Sequence, residues 1–309
     1  MKPAFSVLFF TVTSGFGYGA LICLLLMQTL DSQAMPSQDL LLSLLVALAF
    51  ATIGLLSSTL HLANPKNAWR AFNRFRTSWL SREGVFAVVF YPLILAYMAM
   101  IYFPEFNSPW LFNFLTFLCV LVSLAVIIST GMIYASLKPI RQWHHPLVVP
   151  IYILLALSSG ALLVLCLQAV LMVEYSELLA NVFLVICATS LLFKLLYFIS
   201  IGQPTGVSIS SATGFSQAKV NLLDSGHSSG TFLTDEFVFQ ASAKKISMLR
   251  IVSVVMAFLL PFALLFFVPS KLSVITAFML TYLGLLTERW LFFAEARHTV
   301  RLYHGDQTT

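Results

Sequence analysis

Hydrophobic residues in this chain come in long, nearly unbroken runs, without the alternation of apolar and polar faces that marks a half-buried helix or strand. Set off by Pro, Gly or charge, the runs cover 5–30, 40–62, 84–103, 110–135, 147–172, 178–201, 249–268 and 272–292. Each reaches the roughly 20 residues that cross a bilayer's hydrocarbon core as a helix. A helix that is apolar all round offers no face to water. The pattern predicts an all-α, polytopic membrane protein in which residues 1–309 form a single transmembrane domain, a bundle of eight helices. The first run follows Lys2 and is too long for the h-region of a secretory signal, so it reads as the first span.

Composition agrees: 59% of residues are hydrophobic and 9% charged, and the mean hydropathy is +0.92. A soluble domain is roughly half apolar. The pI of about 9.1 would suggest a nucleic-acid partner for a soluble protein, but here membrane topology explains where the positive charge lies. An even number of spans puts both termini on one side, together with the connections after the second, fourth and sixth spans. That side carries every Lys and Arg except Lys194, inside the sixth run, and Lys271. Because Lys and Arg in short connections are retained in the cytoplasm, both termini are expected there, in a bacterial inner membrane. The opposite side has only short links containing Asp31, Asp39, Glu105, Glu174 and Glu177. Protein partners are therefore expected on the basic face, with Arg74, Arg76, His144, His145, Asp235 and Glu236 as candidate docking residues.

Three other features bear on function. Cys23, Cys119, Cys166 and Cys187 each fall inside an apolar run without metal-ligand spacing, so they read as packing thiols, and any iron–sulfur cluster must belong to a partner. Gly15, Gly17 and Gly19 form a small-residue face in the first span that permits close helix approach. The connection 202–247 is long and polar with an acidic centre at Asp235 and Glu236. Loops of that length are usually functional or disordered. Its Phe232, Leu233, Phe237 and Phe239 are apolar anchors that suit a segment ordered against a cytoplasmic partner.

Candidate chemistry concentrates between the second and third spans. His61 closes the second, Glu83 opens the third, and the loop between them carries Trp69, Arg70, Arg74, Arg76 and Arg82. Ionisable groups at the edge of the hydrocarbon are costly and point to function. The set suits a quinone, whose ring and tail partition into lipid while its carbonyls need donors and its reduction needs two protons. His61 can hydrogen-bond a carbonyl and deliver a proton, and Glu83 can resupply protons. Arg70 can fix the other oxygen and Trp69 can stack on the ring. The same residues also suit ordinary roles, as an interfacial cap, a carboxylate at a helix N-terminus and membrane-surface anchors. Spacing alone leaves both readings open.

The His61-Leu62-x-x-Pro65 run, the tetrapeptide Arg70-Ala71-Phe72-Asn73 and Leu80-Ser81-x-Glu83 resemble the membrane anchor of dimethyl sulfoxide reductase and its relatives, over the whole chain. The start Met1 to Val7, Tyr134 to Ile140, Trp143 to Leu147, and Ser225-Gly226-His227 through Thr234 to Phe237 are similar to a narrower group, the anchors of cytoplasm-facing sulfite dehydrogenase. The resemblance implies a chain without activity of its own, which joins a molybdenum-cofactor catalytic subunit and an iron–sulfur subunit in a heterotrimer. It also ties His61, Arg70 and Glu83 to quinone binding. The segment between His61 and Arg70 is longer than in the reductase anchor, which bears most on Arg70. The reductase anchor resembled here has its termini and partners on the periplasmic face. The cytoplasmic termini expected for this chain favour sulfite oxidation feeding the quinone pool over the alternative, quinol oxidation by a dimethyl sulfoxide or polysulfide reductase.

Other readings are weaker. A haem near the basic face would need His61 paired with His145 or His298; none of the six histidines lies mid-membrane, and no haem is expected. His144 and His145 read as cytoplasmic surface. Lys194 is expected to snorkel toward the basic face, and Glu288, Arg289, Glu295 and Arg297 to pair within their own helix or at the interface rather than line a second wall of the quinone pocket. A secondary transporter would place charges and helix breaks mid-membrane, whereas these charges sit near the ends.

Overall fold

The computed structural model describes all residues except 32–34, 60–64, 107, 203–206, 216–219, 225–238, 240, 305 and 309. Eight helices long and apolar enough to cross a membrane are present: α1 Phe5–Leu30, α2 Ser37–Thr59, α3 Trp79–Tyr102, α4 Pro109–Ala135, α5 Val148–Val170, α6 Glu177–Ile201, α7 Ala243–Phe267 and α8 Lys271–Ala294. Among the described residues there is no strand, only two isolated bridges. The eight predicted runs are these eight helices, and their ends differ for local reasons. Helix α3 begins at Trp79 instead of 84, because Ser78 caps it by accepting a hydrogen bond from the Ser81 amide. Glu83 therefore lies one turn inside the helix.

The two chain ends meet at one end of the bundle. The Met1 ammonium donates to the carbonyls of Phe293 and Ala296 at 3.2 and 2.7 Å, at the end of α8 and just beyond it. Thr299 donates to Pro139 O at 3.3 Å in the α4–α5 connection. Within the 202–247 connection, Ser208 pairs with Thr308, and Ile209 donates to Gln307 O at 3.1 Å. Phe239 packs edge-on against Trp290, with ring centroids 6.5 Å apart. The other anchors, Phe232, Leu233 and Phe237, lie outside the described residues, as do His61, Asp235 and Glu236.

Helices α1 and α5 form the centre. Of their most apolar stretches 78% and 72% is buried, against 33% for α2, α3, α4 and α6. Those outer helices turn side chains such as Leu56, Phe117, Val185 and Ile199 outward, as expected where lipid is the solvent. With lipid on one side and protein on the other equally apolar, close packing must drive association. Glycine supplies it. A Cβ on Gly19 would collide with the backbone of Ala156 and one on Gly160 with the backbone of Gly19, while Gly17 meets Ala51 and Ala47 of α2. Gly15, one turn closer to the basic end, is looser: a Cβ there would lie 3.9 Å from Ala156 Cβ. Helix α7 contains a π-helical turn at Val255–Leu259, just before Pro261, where Gly284 of α8 fits against Ala257. The widened turn accommodates the proline without ending the helix.

Gly19→Val is expected to prevent α1 and α5 from docking and to leave no monodisperse protein on size exclusion in detergent. Gly15→Ala, which meets only ordinary van der Waals contact, should elute like the natural protein.

Candidate functional site

The loop between α2 and α3 is built on a 3-10 segment, Pro65–Arg74, docked onto the first turns of α3. Arg82 clamps it there. Its Nε donates to Phe75 O at 3.0 Å and its Nη2 to Arg76 O at 2.8 Å, and its guanidinium lies 4.0 Å over the Trp79 ring. Phe75 meets Phe86 edge-on at 5.6 Å. Trp69, 61% exposed, and the exposed Arg70 form a pair on this surface, with the guanidinium 5.8 Å over the indole. Arg74 and Arg76 are exposed as well.

Glu83 points the other way. It is buried at 4% exposure, and its carboxyl is hydrogen-bonded to the Thr130 hydroxyl of α4. That hydroxyl also lies 3.0 Å from Val126 O. A hydroxyl carries one hydrogen. Given to Glu83, it serves a carboxylate; given to Val126 O, it leaves Thr130 to accept from a protonated Glu83. The site holds either protonation state of Glu83 without moving a heavy atom. Among the described contacts, Glu83 is linked to Thr130 and not to Trp69 or Arg70.

Beyond Thr130 lie polar groups that the sequence pattern alone assigns to the surface or to local pairs. A cavity of about 30 Å³ lies between α1, α4, α5 and α8, lined by Ser14, Gly15, Tyr18, Thr130, Tyr152 and Arg289 among others. It has room for water and none for a quinone ring. The Tyr18 hydroxyl has no hydrogen-bond partner among the described residues, and neither the Tyr152 hydroxyl nor Arg289 Nη1 makes a hydrogen bond of normal geometry. Arg289 stacks 4.1 Å over the Tyr152 ring and donates through Nε to Glu288 at 2.6 Å. The other Glu288 oxygen is ion-paired with Lys194 of α6.

Lys194 therefore does not snorkel. It is 1% exposed and Glu288 fully buried, because a carboxylate on the facing helix offers the ammonium a nearer partner than the membrane surface does. Glu288 and Arg289 likewise do not simply pair along their own helix or at the interface; they form a buried triad with Lys194, tying α8 to α6. Glu295, at the end of α8, pairs with Arg250 of α7 at 2.5 Å. One signal was available in the sequence: Lys194 and Glu288 are opposite charges, each set inside an apolar run at similar distance from the same face.

His144 is exposed, with its Nδ1 2.6 Å from Ala135 O. His145 is half-buried against the Tyr197 ring, and burial, with the Arg141 guanidinium nearby, lowers its pKa. Tyr197 donates to Gln142 O at 2.9 Å, which fixes this connection to α6.

A helical membrane bundle with a buried carboxyl beside a basic, aromatic loop at the end where its termini meet is a form that suits the membrane anchor of an oxidoreductase, and the family match makes it that class. The chain belongs to the DMSO reductase anchor subunit (DmsC) family, whose model matches residues 1–294. It is similar to a sulfite dehydrogenase subunit of Allochromatium vinosum, with 33% identity covering 98% of this chain and 99% of that one. No solved structure matches.

Removing one member of the buried triad has a cost set by the charge left behind. Glu288→Ala leaves Lys194 and Arg289 as facing cations and should destabilise the protein by roughly 3–5 kcal/mol. Lys194→Met leaves the neutral Glu288–Arg289 pair and should cost clearly less. Thermal unfolding in detergent compares the two, and equal losses would contradict this charge accounting.

Proposed function

We propose that this chain is the quinone-reducing anchor of a sulfite dehydrogenase, receiving electrons from sulfite oxidised by a molybdenum subunit and passed through an iron–sulfur subunit. An anchor of this family works with catalytic and electron-transfer partners, and similarity to a sulfite dehydrogenase subunit over nearly the full length supports the sulfite assignment. The basic face carrying the termini is, in this reading, cytoplasmic. The partners dock there on the surface of Arg74, Arg76, His144 and His145, together with the Asp235 and Glu236 segment.

The observation that carries quinone chemistry in this chain is Glu83. A carboxyl buried one turn inside a membrane helix, held by Thr130 in either protonation state, is equipped to give and regain protons. In this reading the quinone ring comes from the lipid to the surface that the 65–74 segment and the start of α3 form together. Trp69 offers it an aromatic face, and His61 and Arg70 offer donors for its two carbonyl oxygens. Quinone takes two electrons from the partner and two protons to become quinol. Glu83 gives up a proton toward the reduced oxygen, and its carboxylate then accepts the Thr130 hydrogen until it is reprotonated. General acid–base help of this kind contributes about 100-fold or more.

In the assembled complex, Glu83→Gln should slow sulfite-dependent quinone reduction by roughly 100-fold while leaving sulfite oxidation by ferricyanide intact. Unchanged quinone reduction would remove Glu83 from the site. Fusing green fluorescent protein and alkaline phosphatase to Thr309 tests the orientation: fluorescence without phosphatase activity is expected, and the reverse would turn the docking face to the periplasm.

A further inference from the structure

The buried polar groups extend across the bundle well beyond Glu83. Thr130 lies five residues before the end of α4, Tyr152 four after the start of α5, Glu288 and Arg289 six and five before the end of α8, and Lys194 seven before the end of α6. At 1.5 Å per residue, all sit roughly 6–10 Å inside the same end. They form a layer parallel to the membrane, with one or two groups from each of five helices, α3, α4, α5, α6 and α8. At one edge stands Glu83. At the other, Glu295 and Arg250 line a polar cleft of about 640 Å³ together with Gln142, Arg297, Arg301 and Asp306.

Neighbours in the layer interact. Glu295 is within electrostatic reach of both Lys194 and Glu288. Lys194 pairs with Glu288, which Arg289 holds from its second oxygen. Arg289 and Tyr152 line the water-sized cavity that reaches Thr130, and Glu83 is within electrostatic reach of Tyr152. Among the described residues, the layer lacks protein hydrogen bonds of normal geometry in two intervals: in this cavity, where the Tyr18 and Tyr152 hydroxyls and Arg289 Nη1 need partners, and between the Lys194–Glu288 pair and Glu295, whose second carboxylate oxygen has none. The cavity is large enough and polar enough to hold a water.

A purely structural ion pair would not need this arrangement. Buried charges cost several kcal/mol each, and apolar residues of the same size often hold helices together better. The charge balance also couples the two edges. With Arg289 always protonated, Lys194, Glu288, Arg289 and Glu83 sum to zero when Glu83 is ionised and to one positive charge when it is protonated. Protonating Glu83 therefore favours release of a proton from Lys194, whose ammonium lies against the Tyr197 and Phe198 rings at 4.5 and 4.6 Å and has the Glu288 carboxylate to receive it.

We propose that this layer is a lateral proton path that refills Glu83 from the cleft at Glu295. The inference rests on the proposed role of Glu83 in quinone reduction and adds the source of its protons. After Glu83 gives a proton to the reduced quinone, its carboxylate takes one through Thr130 from cavity water. That water takes one from the Lys194–Glu288 pair by way of the Tyr152 hydroxyl. The pair, one proton short, is reprotonated at the cleft through Glu295, whose carboxyl burial raises above the usual carboxylate range even with the Arg250 guanidinium beside it. Arg289 positions Glu288 and the cavity water and passes no proton itself. Two such transfers accompany each quinone reduced.

Tyr152→Phe removes the hydroxyl and keeps the ring on which Arg289 stacks; Lys194→Met removes the ammonium and leaves a neutral Glu288–Arg289 pair. Both are measured in the assembled complex in lipid nanodiscs, with sulfite as donor and either a soluble quinone analogue or ferricyanide as acceptor. Each variant should lower the maximal quinone-reduction rate at least ten-fold without raising the KM for quinone. Each should also raise the solvent deuterium isotope effect above that of the natural protein, and ferricyanide reduction should not change. Natural rates and isotope effects in both variants would overturn the path. So would a loss appearing equally with ferricyanide, or only in KM, since either marks a structural role. If Glu83→Gln is slow while both variants are fast, the path fails and the quinone site stands; if Glu83→Gln is also fast, the site itself fails.

Discussion

The close approach of α1 to its neighbours governs the rest of the bundle. In a lipid solvent there is no hydrophobic gain in pressing one apolar helix on another, so the geometry must come from surfaces that fit. Gly19 against Gly160 and Ala156, and Gly17 against Ala47 and Ala51, bring α1 into backbone contact with α5 and α2. Around that centre α4 and α8 pack closely enough for Thr130, Tyr152 and Arg289 to face a common space. One turn away, Gly15 is not pressed against a backbone, and the gap left beside it is the cavity. On the α5-facing side of α1, Gly19 therefore locks the bundle at its middle and Gly15 leaves a small polar chamber near its basic end.

Polar groups in that chamber obey the opposite constraint. Charge in hydrocarbon is tolerated only when it is paired or hydrated. Lys194, Glu288 and Arg289 satisfy this with two short contacts to one carboxylate, and Glu83 satisfies it with a hydroxyl that can donate or accept. The excess positive charge of the triad and the ionisable Glu83 on the far side of the cavity are complementary. In the path proposed above, that relationship makes the proton content of one edge depend on that of the other, which a set of independent ion pairs would not do.

For a membrane anchor this division of labour is sensible. As a family member the chain holds catalytic and electron-transfer partners at the membrane. Its own chemistry, in the reading proposed here, concerns protons and a lipid-soluble acceptor. In that reading the exposed Trp69–Arg70 surface meets the membrane and partner, while the interior supplies the carboxyl.

The eight spans were legible in the sequence because a membrane helix must be apolar for about 20 residues, and no tertiary contact is needed to see that. The glycines of the first span were legible as points of close approach, since only small residues allow it, but they do not form the one face expected: Gly19 and the looser Gly15 turn toward α5 and Gly17 toward α2. Glu83 stood out because ionisable residues at that depth are rare. Its partner did not, since Thr130 is one hydroxyl residue among many in apolar runs, and only the packing of α3 on α4 selects it. Lys194 and Glu288 show the limit most clearly. From sequence, a lysine two turns inside a helix has a cheap route to the surface, and a carboxylate beside an arginine has a partner already. Which option is taken depends on whether another helix presents the opposite charge within reach, and that is decided by how α6 and α8 face each other in three dimensions.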